Sequence, residues 1–243
     1  MPEPAKTLIT VATYNELENL PALVAAIHQQ APEADILVID DGSPDGTGQW
    51  CDEKHAEDPR VRCLHRQGKL GLGTAIIAGM KYAIEHDYDR VLNMDADFSH
   101  HPRYIPAMLA LVEGEDAVDV SIGSRYVTGG GTVGWPWHRK FMSSAVNLYA
   151  RTLLRLRPRD CSGAYRCYTT AALKKIDLER VISRGYSFQE EILWHLRRAG
   201  CTMAETPIMF ADRERGQSKI NQREALAAVW IIFRLGVFGL PHG

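Results

Sequence analysis

The sequence predicts an α/β protein built on a mostly parallel sheet flanked by helices. Two observations carry this: short apolar runs alternate with stretches of helical spacing, and polar clusters sit where the apolar runs stop. Thr7–Thr13 (TLITVAT) reads as a buried strand, and residues 17–30 follow with helical spacing at Leu20, Leu23, Val24 and Ile27. The run ILVI at 36–39 stops at Asp40-Asp41-Gly42-Ser43-Pro44, a cluster of turn formers. A polar helix is expected at 48–56, a strand at Val61–His65 and a helix from about Gly71 to Glu85. Residues 90–93 form a strand ending at Asp95-Ala96-Asp97, then a helix over 104–112 and a strand over 117–122. In such sheets ligands bind beyond the carboxyl ends of the strands. Tyr14-Asn15-Glu16, Asp40-Asp41 and Asp95-Ala96-Asp97 are therefore expected to share one crevice.

With 45% hydrophobic and 24% charged residues the composition is globular and excludes a disordered chain. A chain of 243 residues suits one large α/β domain. The net charge of −2 hides a division: residues 1–122 carry 9 Lys/Arg against 21 Asp/Glu, and residues 123–243 carry 19 against 9. Acidic sites hold cations, and basic surfaces attract phosphates or anionic membranes. Five scattered cysteines without a CxxC pair point to free thiols and a reducing compartment. Residues 1–6 show no targeting pattern, and no apolar run reaches the length of a membrane span.

Asp95 and Asp97 stand two apart at a strand end, so in an extended chain their carboxylates share one side. Hard oxygen ligands so placed suit Mg²⁺ or Mn²⁺ together with a diphosphate; the plain alternative is an Asx turn leaving the strand. An acidic residue of the Asp40-Asp41 pair is suited to a base or ribose edge. Gly68-Lys69-Leu70-Gly71-Leu72-Gly73 is neither G-x-G-x-x-G nor a P-loop, which weakens dehydrogenase and NTPase readings. A close-packed turn opening a helix is its expected role. His100 and His101 read as exposed bystanders near a helix start.

The motifs ATYNE (12–16), VIDDGSPDGT (38–47) and LNMDADFSHHP (92–102) resemble the catalytic core of the family 2 inverting glycosyltransferases. GSRY (123–126), RDCSGAYR (159–166), GYSFQEE (185–191) and DRERGQSK (212–219) resemble the dolichol-phosphate mannose synthases within it. The likeness runs in order over about residues 6–235. It implies a GT-A nucleotide-sugar-binding fold with a mostly parallel mixed sheet, as one catalytic domain across 1–243. Residues up to about 122 would be the nucleotide-binding half, and those from about 123 the acceptor-binding half with amphipathic interfacial helices.

By position, the resemblance implies nucleotide contacts from Ala12, Tyr14, Glu16, Ile39 and Asp41, and donor contacts from Asp95 and Ala96. It implies metal ligation by Asp97 and Ser99, where many relatives have Gln at the latter position. Ala12 replaces a usual Pro, and Cys161 a commoner Pro or Leu. Arg125, Arg213 and Lys219 are implied to contact donor or acceptor phosphates, with Arg139 a further partner for the lipid phosphate. The implied substrates are a nucleotide sugar, GDP-mannose, and a polyprenyl phosphate, with Mg²⁺ or Mn²⁺ as cofactor. The expected location is cytoplasmic, peripheral on the cytoplasmic face of a membrane, with a membrane-anchoring subunit possible and no nucleic acid partner.

The residues of the basic half agree. Between Arg125 and Arg159 there is no acidic residue, while Arg139, Lys140, Arg151, Arg155 and Arg157 are present beside Trp135, Trp137 and Phe141. Met142, Val146, Tyr149 and Leu153 repeat at helical spacing, predicting an amphipathic helix from about His138 that lies at a membrane surface or packs on the sheet. Leu226, Val229, Trp230 and Phe233 form a second stripe, suited to closing the core, to an interface or to a docking partner. A phosphate monoester is largely dianionic near neutral pH, so no general base is required and Asp97 reads as a metal ligand. Alternatives within the family are UDP-glucose or another nucleotide sugar, or a non-lipid acceptor. A non-catalytic binding subunit is disfavoured by the intact Asp95-x-Asp97, and an oxidoreductase by the missing glycine fingerprint.

Overall fold

The computed structural model describes residues 5–183, 185, 187–212 and 222–239, with side chains in the last segment from residue 228. Strands are β1 (Thr7–Thr13), β2 (Asp35–Asp40), β3 (Val61–His65), β4 (Arg90–Asp95), β5 (Val120–Ser124), β6 (Gly131–Val133), β7 (Arg166–Thr169), β8 (Met203–Pro207) and β9 (Met209–Ala211). Helices are α1 (Leu20–Gln30), α2 (Thr47–Glu57), α3 (Leu72–Glu85), α4 (Ile105–Ala110), α5 (Trp137–Leu154), α6 (Thr170–Leu173), α7 (Phe188–Arg198) and α8 (Gln222–Val237). Each element expected from the sequence forms. Pro102–Tyr104 tightens into a 3-10 turn ahead of α4, and β5 starts later than expected and runs on to Ser124. Strands β6 to β9 appear only in the structure: β6, β7 and β9 have three or four residues, and β8 (MAETP) lacks an apolar run.

The main sheet has seven strands in the order β3-β2-β1-β4-β7-β5-β8. Strands β1 to β4 are parallel, so Thr13, Asp40 and His65 stand in register at one edge, with Asp95 beside Ala12. Strand β7 is antiparallel to both β4 and β5, while β5 and β8 run parallel to each other. An antiparallel strand begins where its parallel neighbours end. Segment 159–165, leading into β7, therefore lies at the edge where β4, β5 and β8 finish.

Successive side chains of a strand face opposite sides, which divides the core in two. Leu8, Leu37, Ile39, Val91 and Ile122 pack with α3, α7 and the inner face of α8. Ile9, Val11, Ile36, Val38, Leu92 and Met94 pack with α1 and α4. Gly79 lets α3 approach the sheet: a Cβ there would lie 2.9 Å from both Ile39 Cδ1 and Thr10 Cγ2. Gly79→Ala gains about 1 kcal/mol of helix propensity. Crowding two buried side chains costs about 1–3 kcal/mol. A net loss is expected, read as a fall in thermal midpoint of a few degrees; an unchanged midpoint would mean that α3 can shift.

Candidate active site

The nucleotide-side groups are held by a web between two loops. After β1 the backbone turns through Asn15, whose φ is +61°, and three successive amides donate to the next loop. Asn15 N donates to Ser43 Oγ, Glu16 N to Thr47 Oγ1 and Leu17 N to Asp45 Oδ2, at 2.9–3.1 Å. Asp40 is buried and accepts from Ser43 N and Oγ and from Thr13 Oγ1, so it builds the turn. Asp41, next to it, pairs with Arg66 Nη1 at 2.7 Å. Burial raises the Asp41 pKa and Asp40 adds to that, while Arg66 and a hydrogen bond from the Leu70 backbone oppose the shift. The ring of Tyr14 lies 4.3 Å beneath Lys69 Nζ. Arg66 and Lys69, which the sequence reading passed over, thus bring the glycine-rich segment against Asp41 and Tyr14. Ile39 is fully buried and Ala96 nearly so, which leaves mainly their backbones for a ligand, and Ala12 and Glu16 are half-buried nearby.

At the end of β4 the chain is not extended. Phe98 has φ +61°, which turns Ser99 and His100 inward. Ser99 donates from N and from Oγ to Asp97 Oδ1, at 3.1 and 2.5 Å, and so braces that carboxylate. His100 is buried, not exposed as the sequence suggested. Its Nδ1 accepts a hydrogen bond from Asp95 N, and the ring stacks on Tyr165 at 4.9 Å. An Nδ1 that accepts carries no proton, and burial lowers the ring's pKa. His100 is therefore neutral, and its 3.4 Å approach to Asp95 Oδ2 is not an ion pair. It adds no positive charge beside Asp95 and Asp97. His101 stays at the surface, where its ring caps the 3-10 turn.

The basic half enters through Arg125, just past β5. Its Nε and Nη2 reach Asp160 Oδ2 and Oδ1, both at 2.7 Å, and Nη2 also donates to Ser162 Oγ at 2.9 Å. Asp160 is fully buried and accepts further from Arg125 N and Gly163 N. Burial works to raise its pKa, but Arg125 and these hydrogen bonds outweigh it and hold the pKa below the ordinary carboxylate range. Around the pair, Asn147 Oδ1 accepts from Cys161 N and Ser162 N, Glu205 accepts from Arg159 N and Asp160 N, and Arg166 donates to the carbonyls of Cys161 and Gln189. Beneath lies Glu190, whose pKa burial raises to about 7.

An aromatic bridge joins the two halves. His100 and Trp135 both meet Phe210 edge-on, at 5.4 and 5.5 Å. Arg125 lies 5.6 Å from Phe210 and 5.4 Å from Trp135, and Arg139 sits over the same Trp135 ring at 4.0 Å. Arg139 also pairs with Asp212 at 2.8 Å. The structure thus gathers Asp95, Asp97, Ser99, Arg125 and Arg139 in one neighbourhood, with Tyr14 and Asp41 along the same sheet edge. Arg213 and Lys219 lie outside the described residues.

The profile of glycosyl transferase family 2 matches residues 8–182. An undecaprenyl-phosphate mannosyltransferase of Micrococcus luteus is 44% identical over 232 residues, covering 96% of this chain and 94% of that protein. This chain belongs to glycosyl transferase family 2. A polyprenol monophosphomannose synthase of Mycolicibacterium smegmatis is 42% identical over 235 residues, covering 96% of this chain and 88% of the relative. Among solved structures, glucosyl-3-phosphoglycerate synthase of Mycobacterium tuberculosis, in complex with Mn²⁺, UDP and glucosyl-3-phosphoglycerate, superposes with a TM-score of 0.66. It is 17% identical, with 98% of this chain and 82% of that one covered, a likeness of fold alone: the chain has a GT-A-like α/β fold.

The sequence marks Asp160 only as a member of RDCSGAYR and gives it no role of its own, because its partner Arg125 lies 35 positions away. The signal of Asp160 was its place as the one acidic residue of RDCSGAYR. Asp160→Asn keeps the shape but strands the Arg125 charge in the interior. Removing one partner of a buried ion pair costs about 3–5 kcal/mol. Urea unfolding of the variant is expected to show that loss; a change within error would mean that water reaches Arg125.

Proposed function

We propose that the protein transfers a mannosyl group from GDP-mannose to the phosphate of a polyprenol, inverting the anomeric configuration. The observation that carries this is the shared edge of the sheet, where the carboxylates ending β4 lie beside the cationic groups following β5. The names of the two relatives at 42–44% identity support mannose and a polyprenyl phosphate as substrates.

Asp95 and Asp97 offer hard carboxylate oxygens, and the neutral His100 adds no competing positive charge beside Asp95, so the set fits Mg²⁺ or Mn²⁺. When bound, such an ion stabilises the leaving nucleoside diphosphate as a Lewis acid. In this reading Asp97 is the principal ligand, Ser99 holds its carboxylate in place, and Asp95 with Ala96 meets the donor. Tyr14, Glu16, Asp41 and the backbones of Ala12 and Ile39 hold the nucleoside. Arg125, whose orientation Asp160 sets, and Arg139 on Trp135 attract the acceptor phosphate. Arg213 and Lys219 are assigned to the phosphates by the sequence pattern. The dianionic acceptor needs no proton removed, so no side chain is assigned as general base.

A polyprenol tail lies in a bilayer, and the surface matches that need. Trp137, Phe141, Met142 and Leu148 of α5, Trp230 of α8 and Val237 and Phe238 at its end are exposed, with Lys140 among the residues of α5. Helix α8 also closes the core through Ile232 and Leu235. Among the described residues no helix is long and apolar enough to cross a membrane, so we propose peripheral attachment to a membrane surface.

Asp97→Ala is expected to reduce metal-dependent transfer by about 10²-fold or more, while the thermal midpoint stays near wild type. The measurement is lipid-extractable label from GDP-mannose and UDP-glucose with Mg²⁺, Mn²⁺ or chelator; label transferred equally well with chelator would remove the metal from the reaction. The double variant Trp137→Ser/Phe141→Ser is expected to lose about tenfold or more in affinity for anionic vesicles by sedimentation. Its use of a short-chain, water-soluble acceptor should be unchanged; undiminished vesicle binding would move the attachment elsewhere.

A further inference from the structure

Strand β3 is an edge strand, and the two-residue repeat of a strand puts Cys63 and His65 on one face. Helix α2 packs against β3 and brings Asp52 to His65, with Nε2 2.9 Å from Asp52 Oδ1. A carboxylate acceptor keeps the proton on Nε2 and leaves Nδ1 with a bare lone pair. Cys63 Sγ stands 3.7 Å from Nδ1. One ligand atom from each of Asp52, Cys63 and His65 lies within 4.8 Å of the others.

These distances resemble a coordination site. With Zn–S of about 2.3 Å and Zn–N of about 2.0–2.1 Å, the S···N edge of a tetrahedral zinc site is roughly 3.6 Å. The observed separation matches it without backbone movement. The carboxylate–histidine contact is the arrangement that fixes a metal-binding imidazole and raises its basicity. Cys51 lies buried against Cys63, and its thiol, followed by burial, pushes the Cys63 pKa up, so without metal this thiol stays protonated.

We propose that Cys63 Sγ and His65 Nδ1 bind a zinc ion, with Asp52 orienting the imidazole. As the sulfur–zinc bond forms, the thiol proton leaves to solvent, and no electrons are exchanged. Water or a swung Asp52 carboxylate completes the coordination. Thiolate and imidazole select zinc over Mg²⁺ and Mn²⁺, which favour oxygen ligands. With β2 and β1 lying between β3 and β4, the site stands roughly 14 Å from the β4 carboxylates at the usual strand spacing. His65 shares the sheet edge with Asp40, but none of Asp52, Cys63 and His65 is among the residues assigned to the donor, the acceptor or the Mg²⁺ or Mn²⁺ ion.

The test is titration of the full chain with Co²⁺ and, by equilibrium dialysis, with Zn²⁺, both in excess Mg²⁺ to occupy oxygen sites. Wild type is expected to show a thiolate-to-cobalt charge-transfer band and to retain zinc. Cys63→Ser should abolish the band, and Asp52→Asn should weaken zinc binding by about 10–100-fold. His65→Gln keeps the thiol and should weaken zinc binding by at least about tenfold. Metal-free thermal melts check that each variant folds. No band in wild type, a band undiminished in Cys63→Ser, or wild-type zinc affinity in His65→Gln would overturn the proposal.

Discussion

The buried pair of Arg125 with Asp160 is the contact on which the rest of the site depends. Taking two charges out of water costs several kcal/mol for each, offset only when geometry and hydrogen bonding are nearly complete. Here Asp160 accepts two guanidinium bonds and two backbone amides, and Ser162 takes a further guanidinium proton. Glu205, Asn147 and Arg166 then hold the backbone that carries Asp160. The result ties the end of β5 to the segment leading into β7 and gives the Arg125 side chain one orientation.

That knot can form beside the β4 carboxylates only because β7 runs against its neighbours. Had it been parallel, segment 159–165 would have entered at the opposite edge of the sheet, far from Asp95. The same argument places Phe210, just past β8, within reach of both His100 and Trp135. Electrostatics then sorts the charged groups. Asp41 has Arg66, Arg125 has Asp160 and Arg139 has Asp212, whereas the histidine beside Asp95 is kept neutral by burial. Asp41, Arg125 and Arg139 thus each meet an opposite charge, while His100 adds no positive charge beside Asp95.

Much of this was legible beforehand where a residue's role is local. The strand β4 ending at its acidic pair, the DDGS turn and the amphipathic α5 follow from turn chemistry and periodicity. What went astray involved burial. His100 reads as exposed because it is one of a histidine pair near a helix start, yet the left-handed turn at Phe98 drives it inward. The stripe of α5 was read through Met142, Val146, Tyr149 and Leu153, whereas the fully buried line is Asn147, Ala150 and Leu154. Asn147 is polar because it hydrogen-bonds the 161–162 backbone, so apolar periodicity alone sets the stripe one position off.

The amino-acid sequence by itself determined the alternation of strands and helices, the acidic pairs at two strand ends and the division of charge between halves. These are local properties of spacing and side-chain type. Only the tertiary structure decided which groups meet: Arg125 with Asp160, Asp41 with Arg66, and His65 with Asp52. Such pairings depend on strand order and direction, which bring together residues up to 35 positions apart in the Arg125–Asp160 case. No periodicity along the chain encodes that, because the interaction exists only once the sheet has formed.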